Sequence, residues 1–178
     1  YTESVTVQAM TSTGGKSGSG GFLGVQEGSS VVGSHSINSS VTGDNATSIY
    51  MGGMVGWQAG GSKQNAVLDS SYAANTTVIG NSPIAAGGLV GFQSTATSYV
   101  PIISNSYATG NVTGASQVGG LVGDQEKGTI SNAYATGNVT GTGTGSSIGG
   151  LVGRQQNTAS SISQSYATGT VSGKWSIG

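Results

Sequence analysis

Gly87-Gly88-Leu89-Val90-Gly91-Phe92-Gln93, followed by Ser106-Tyr107-Ala108-Thr109-Gly110-Asn111-Val112-Thr113-Gly114, is the stretch on which the fold turns. Working outward, the first block returns as Gly20-Gly21-Phe22-Leu23-Gly24-Val25-Gln26, Gly52-Gly53-Met54-Val55-Gly56-Trp57-Gln58, Gly119-Gly120-Leu121-Val122-Gly123-Asp124-Gln125 and Gly149-Gly150-Leu151-Val152-Gly153-Arg154-Gln155. The blocks start at 20, 52, 87, 119 and 149, at intervals of 32, 35, 32 and 30 residues. Each reads Gly-Gly-apolar-apolar-Gly-any-Gln. A fixed period of this length marks a repeat architecture.

The second block returns as Ala133-Tyr134-Ala135-Thr136-Gly137-Asn138-Val139-Thr140-Gly141 and as Ser165-Tyr166-Ala167-Thr168-Gly169-Thr170-Val171-Ser172-Gly173. Earlier copies drift: Ser71-Tyr72-Ala73-Ala74-Asn75-Thr76-Thr77-Val78 comes next, and the first copy has His35 where the others have tyrosine. The segment between the blocks runs from the long Ala59–Ser71 to the short Glu126–Ala133. Outward loops of a repeat tolerate such variation.

Why strands rather than helices? Each interior glycine would cost a helix about 1 kcal/mol relative to alanine. The apolar residues come in short bursts (Leu89-Val90, Ile102-Ile103, Val112) bounded by Gly, Asn and Ser, which are strand and turn signals. The expected fold is all-β, a parallel β-solenoid of about five coils with about three short strands each. At roughly 4.8 Å per coil the rod is about 25 Å long. Residues 1–19 are read as a partial or atypical N-terminal coil and 20–178 as the array. Ile177-Gly178 falls where Ile148-Gly149 opens the preceding repeat, so the chain reads as part of a longer array or as a subunit with an open end.

Stacking gives the repeated residues physical roles. Leu89, Leu121 and Leu151, with Met54 and Phe22, are expected to form one interior ladder, and Val112, Val139 and Val171 another. Gln26, Gln58, Gln93, Gln125 and Gln155 line up so that each amide can hydrogen-bond to the next coil. Tyr72, Tyr107, Tyr134 and Tyr166 stack, at about 0.5–1.5 kcal/mol per neighbouring pair. If strand alternation turns Ala108, Gly110 and Val112 inward, the tyrosines point outward, whereas a bend near Asn105 would reverse the rings; outward is the direction expected. Glycines are assigned to tight corners with φ > 0.

The two blocks together resemble the GLUG motif family, named for a Gly-Leu-any-Gly core, over most of residues 20–178. Such repeats occur in large bacterial surface adhesins, two-partner-secreted filamentous proteins and immunoglobulin-A peptidases of the zinc type. The resemblance implies a noncatalytic surface or stalk region.

Composition narrows the remaining classes. Charged residues are 6% and the net charge is −1, against about 25% charged in typical soluble domains. With scattered Lys16, Lys63, Lys127, Arg154 and Lys174, nothing displaces counterions from a nucleic acid. Cysteine is absent, and no apolar run approaches the roughly 18 residues of a membrane span. Neither cofactor nor metal is expected. Asp124 and Glu126 are two residues apart and read as solvated acids in a loop, and Asp44, like the other carboxylates, is isolated. His35 lacks a local cysteine or carboxylate partner, and no α/β framework places a serine in a Gly-any-Ser-any-Gly elbow. Gly14-Gly15-Lys16-Ser17 lacks the full phosphate-loop pattern.

No catalytic residue is therefore assigned. The function expected is a structural or adhesive segment of an extracellular, secreted or surface-bound bacterial protein. Its partners would be a host or neighbouring-cell surface, or copies of itself joined end to end as a filament. A third expectation is a noncatalytic spacer of a secreted peptidase. Trp57, Phe92 and Tyr99, in or beside the variable segments, are the contact candidates, with local packing under loops an equal expectation for Phe92 and Trp57. Asn111 and Asn138 share a coil position and are candidate glycan acceptors, whereas Asn38, Asn45 and Asn75 match the acceptor pattern without that regularity. The columns Thr109/Thr136/Thr168 and Thr113/Thr140/Ser172 form a candidate ice- or glycan-binding face.

Overall fold

The computed structural model describes residues 2–9, 17–43, 49–81, 85–95, 97–144 and 146–178. Lys16, Asp44 and Asn45 lie outside the described residues. Within them every element is a short strand and every pairing between strands is parallel. The coil that carries the deciding stretch shows the plan. It contains a glycine strand (Ala85–Gly87), a glutamine strand (Val90–Ser94), an isoleucine strand (Pro101–Ser104), a tyrosine strand (Tyr107–Ala108) and a valine strand (Val112–Gly114). Like strands of successive coils pair to give five sheets of five or six strands. The chain is a parallel β-solenoid.

Five strands per coil, rather than about three, is the first departure from the sequence expectation. A coil of 30–35 residues is turned at more corners than apolar bursts reveal, because two-residue strands such as Tyr107–Ala108 carry too little pattern to be seen.

The interior holds two apolar clusters. One combines Met54, Leu89 and Leu121 with Leu68, Ile103, Ile130 and the alanines Ala73, Ala108 and Ala135; Phe22 and Leu151 pack on it from either end. The other stacks Val41, Val78, Val112 and Val139 against Ile49, Met51, Ala86, Val118 and Ile148. Strand alternation divides inside from outside: along Ala66–Asp69 the residues are in turn buried and half-buried. Such complete burial of Leu89 stabilises by about 1.5–3 kcal/mol relative to leaving it exposed.

The glycines of the first block act by size. A Cβ on Gly88 would overlap the carbonyl oxygen of Gly120 in the next coil, and a Cβ on Gly91 would lie 2.5 Å from the Met51 backbone nitrogen. The block folds the chain back so closely that backbone rests on backbone. None of these glycines has a positive φ, which corrects the corner role expected of them. The left-handed corners fall to other residues. Gly33, Ser70, Asn105, Asn132 and Gln164 occupy one such column, between the isoleucine and tyrosine strands, with φ between 46 and 61°. Asn tolerates that region better than other side chains do.

Two of the coils differ at the next corner. Tyr72 and Val78 are separated by one residue more than Tyr107 and Val112, yet Val78 still pairs with Val112. The longer corner holds Asn75 at φ 52°. The shorter one uses Gly110, where a Cβ would overlap the Thr76 carbonyl oxygen.

Candidate functional site

The five glutamines form a buried column. Gln26, Gln58, Gln93 and Gln125 are at most 1% exposed. Gln58 Nε2 donates to Gln26 Oε1 at 3.1 Å, Gln93 Nε2 to Gln58 Oε1 at 2.9 Å, and Gln155 Nε2 to Gln125 Oε1 at 3.1 Å. Gln58 also donates to the carbonyl oxygens of Ala66 and Ile102 at 3.3 and 3.2 Å, so its amide ties the glutamine strand to the isoleucine strand. Between Gln93 and Gln125 the chain of amides is broken. Gln125 Nε2 instead donates to Gly128 O at 3.1 Å across its own short connector, and Gln93 Oε1 is left without a partner. Gln26 makes the equivalent bond, to Ser29 O at 2.9 Å, over the other short connector. Gln26 Nε2 also donates to Val67 O of the next coil at 2.8 Å.

The tyrosines form a column on the outside. Their inward neighbours Ala73, Ala108 and Ala135 are buried, while Tyr166 is 56% exposed. Ring centroids are 4.7 Å apart for Tyr72–Tyr107, 4.8 Å for Tyr107–Tyr134 and 5.4 Å for Tyr134–Tyr166, with planes within 8° of parallel. His35 extends the column, stacked on Tyr72 at 5.0 Å and 7°. Burial, with the neighbouring Tyr134 and Tyr72 rings contributing less, pushes the Tyr107 phenol above its ordinary value.

A third column occupies the variable position of the first block: Val25, Trp57, Phe92, Asp124 and Arg154 pair in that order. Phe92 is 3% exposed, stacked on Tyr50 at 4.3 Å and beside Trp57 at 6.4 Å. It is thus unavailable as a contact residue: Tyr50, an outward residue of the glycine strand, covers it and builds a small second core. Asp124 is corrected as well. It is 2% exposed, accepts bonds from Arg154 Nη2 at 2.7 Å and Nε at 3.3 Å, and takes two more from Gln156 Nε2. Its strand position turns it under Arg154 of the next coil. Glu126, one residue past the strand, is exposed as expected.

Of the contact candidates, Trp57 is half-buried, and its indole Nε1 donates to Ser94 Oγ at 2.9 Å. Tyr99 is 39% exposed. Asn111 and Asn138 are exposed, and their Oδ1 atoms accept the backbone N–H of Asn138 and Thr170 at 2.9 and 3.0 Å. Thr113, Thr140 and Ser172 pair in register; Ile79 interrupts that column one coil earlier, paired with Thr113. Sequence reasoning missed Asp69, whose carboxylate accepts from Ser104 Oγ at 2.6 Å, Asn105 Nδ2 at 2.8 Å and Ser70 Oγ at 2.9 Å. These bonds, Ser104's foremost, hold it below its ordinary value of 3.8. Only its register against Ser104 in the next coil could have revealed it.

Among the described residues no three His, Asp or Glu side chains come together in a manner that could hold a metal ion, and no helix is long and apolar enough to cross a membrane. No curated protein and no solved structure matches the chain. The model of the GLUG motif matches residues 82–113, 114–140 and 144–172. The coils that begin at 20 and 52 precede these matches and stack on them in the same register. The chain is a GLUG-repeat protein.

Proposed function

We propose that this solenoid is a noncatalytic rod of an extracellular bacterial surface or secreted protein, holding other parts of that protein at a distance and offering its flanks as contact surface to host or neighbouring cells. The observation that carries this reading is the continuity of its columns. The glutamines bond to glutamines and to backbone carbonyls, the tyrosines stack on tyrosines, and the buried Leu and Val ladders pack within the two apolar clusters that run through successive coils. Side chains used that way stiffen a rod, as expected where each repeat is stabilised by its neighbours. Replacing the array in the parent protein by a Gly/Ser linker of equal residue number tests the reading. The expected result is collapse of the reach seen by electron microscopy, together with loss of surface attachment. Unchanged reach and attachment would remove it.

Self-association is the second reading, and one pairing favours it. Ile177 bridges Ile148 in parallel, and Gly150 N donates to Gly178 O at 3.2 Å. This edge accepts a further coil in register, whether the coil comes from the same chain or from another copy. Sedimentation that shows a single species across a wide concentration range would argue against association between copies.

A further inference from the structure

Between the first and fourth coils the outer surface dips into a groove of about 430 Å³, lined by Glu27, Trp57, Ala59, Ser94, Thr97 and Glu126 among others. Register explains the dip. Glu27 pairs with Ala59, and Ala59 with Ser94. Glu126 continues the column, its backbone N–H bonded to Gln93 O at 2.9 Å. Two small side chains therefore lie between two glutamates. Three coils at roughly 4.8 Å set the glutamate backbones about 14 Å apart.

The charge of the lining is one-sided, while the hydroxyls of Ser94, Thr95 and Thr97 donate as well as accept. Ionised Glu27 and Glu126 only accept hydrogen bonds, and neither forms an ion pair among the described residues, where Arg154–Asp124 is the pair observed. The indole N–H of Trp57 is engaged by Ser94. Lys127, beside Glu126 in sequence, has its ammonium at the edge of the groove, donating to the carbonyl oxygen of the lining residue Thr97 at 3.3 Å. Trp57 and Ala59 supply apolar surface between the two glutamates, and the exposed Val25 supplies it beside Glu27. A complementary ligand carries positive charge at both ends, with an apolar stem between them. A neutral saccharide would leave both glutamates without a counter-charge.

We propose that this groove binds a linear polyamine lengthwise, its terminal ammonium groups at Glu27 and Glu126 and its methylene stem along Trp57. Ammonium groups near an indole gain from the ring's negative face, and alkyl stems cover apolar surface while their charged ends stay in water. The site is independent of the rod reading, since a stalk and a spacer would carry it equally.

Trp57 reports on the test. A Trp175→Phe background leaves Trp57 as the remaining indole; Trp175 is exposed and outside the groove. Titration with spermine at low salt should give a saturable change in Trp57 emission with one site per chain. The short diamine putrescine, which reaches one glutamate at a time, should bind several-fold more weakly. Glu27→Gln and Glu126→Gln should each weaken spermine about two- to fivefold, with circular dichroism unchanged, and added salt should weaken it further. Equal affinity for spermine and putrescine, undiminished binding to the double Gln variant, tighter binding of a neutral oligosaccharide, or no binding by calorimetry would each overturn the proposal.

Discussion

Two outer columns run along this rod, on strands separated by the isoleucine strand, and obey opposite rules. The tyrosine column repeats one residue: His35 and four tyrosines stack within 8° of parallel. The column at the variable position changes at every coil, from Val25 through Trp57, Phe92 and Asp124 to Arg154. The difference lies in what each column faces. The tyrosine rings lean mainly on the rings above and below, so likeness is what stabilises them. The variable column has a second partner in the outward residues of the glycine strand, as Tyr50 shows by stacking on Phe92. A coil there satisfies a local partner, and identity along the axis is released. The buried glutamines follow the tyrosine rule in stricter form, because each unpaired amide atom would lie away from water.

That contrast breaks most visibly in the glutamine column. Gln58→Leu removes bonds to Gln26, Ala66, Ile102 and Gln93 together; a loss of about 3 kcal/mol in denaturant-induced unfolding is expected. Gln93→Leu should cost markedly less, because its Oε1 is already without a partner. Equal losses would mean that the break between Gln93 and Gln125 is not real. Next in size, Tyr107→Ala deletes two stacking neighbours and should cost about 2 kcal/mol. In the variable column, Asp124→Ala should cost about 1 kcal/mol, since Arg154 is 38% exposed and turns to water when its partner goes. Asp124→Phe should recover that loss by extending the aromatic run from Phe92. Its failure to do so would show that the column has little freedom of identity after all.

The smallest effects are in pH. Tyr107 has a raised folded-state value, so its contribution is complete below its ordinary value of 10.0 and is lost as the phenol ionises at higher pH. Tyr107→Phe should flatten that alkaline slope while leaving stability at neutral pH nearly unchanged. Asp69 runs the other way. Its depressed value makes its contribution present above 3.8 and lost as pH falls through the lower folded-state value. Asp69→Asn should remove that acid limb from thermal unfolding curves.

The columns were legible from spacing because a residue that must meet its own kind returns at every repeat. Gln and Val did so at all five repeats, Tyr at four and Leu at three, and their alignment followed from the period. Three things stayed hidden for physical reasons. Two-residue strands are shorter than any alternation pattern, so five strands per coil were undercounted. Glycine signals both corner freedom and close approach, and only Gly88 against Gly120 and Gly91 against Met51 separate the two. Phe92 and Asp124 looked exposed because the partners that cover them, Tyr50 and Arg154, lie in neighbouring coils at positions that do not repeat. The groove at Trp57 was invisible for the same reason: Glu27 and Glu126 are nearly 100 residues apart in the chain, and they line one groove because the small Ala59 and Ser94 lie between them.

The corner after the tyrosine strand carries a consequence for how such proteins change over time. Val78 meets Val112 although their coils differ there by a residue. Insertions and losses at a bend are absorbed sideways, in the girth of a single layer, while the height of each layer stays fixed by backbone bonding at roughly 4.8 Å. Mutation can thus reshape the flank freely, and only whole-layer duplication or loss alters how far the molecule reaches.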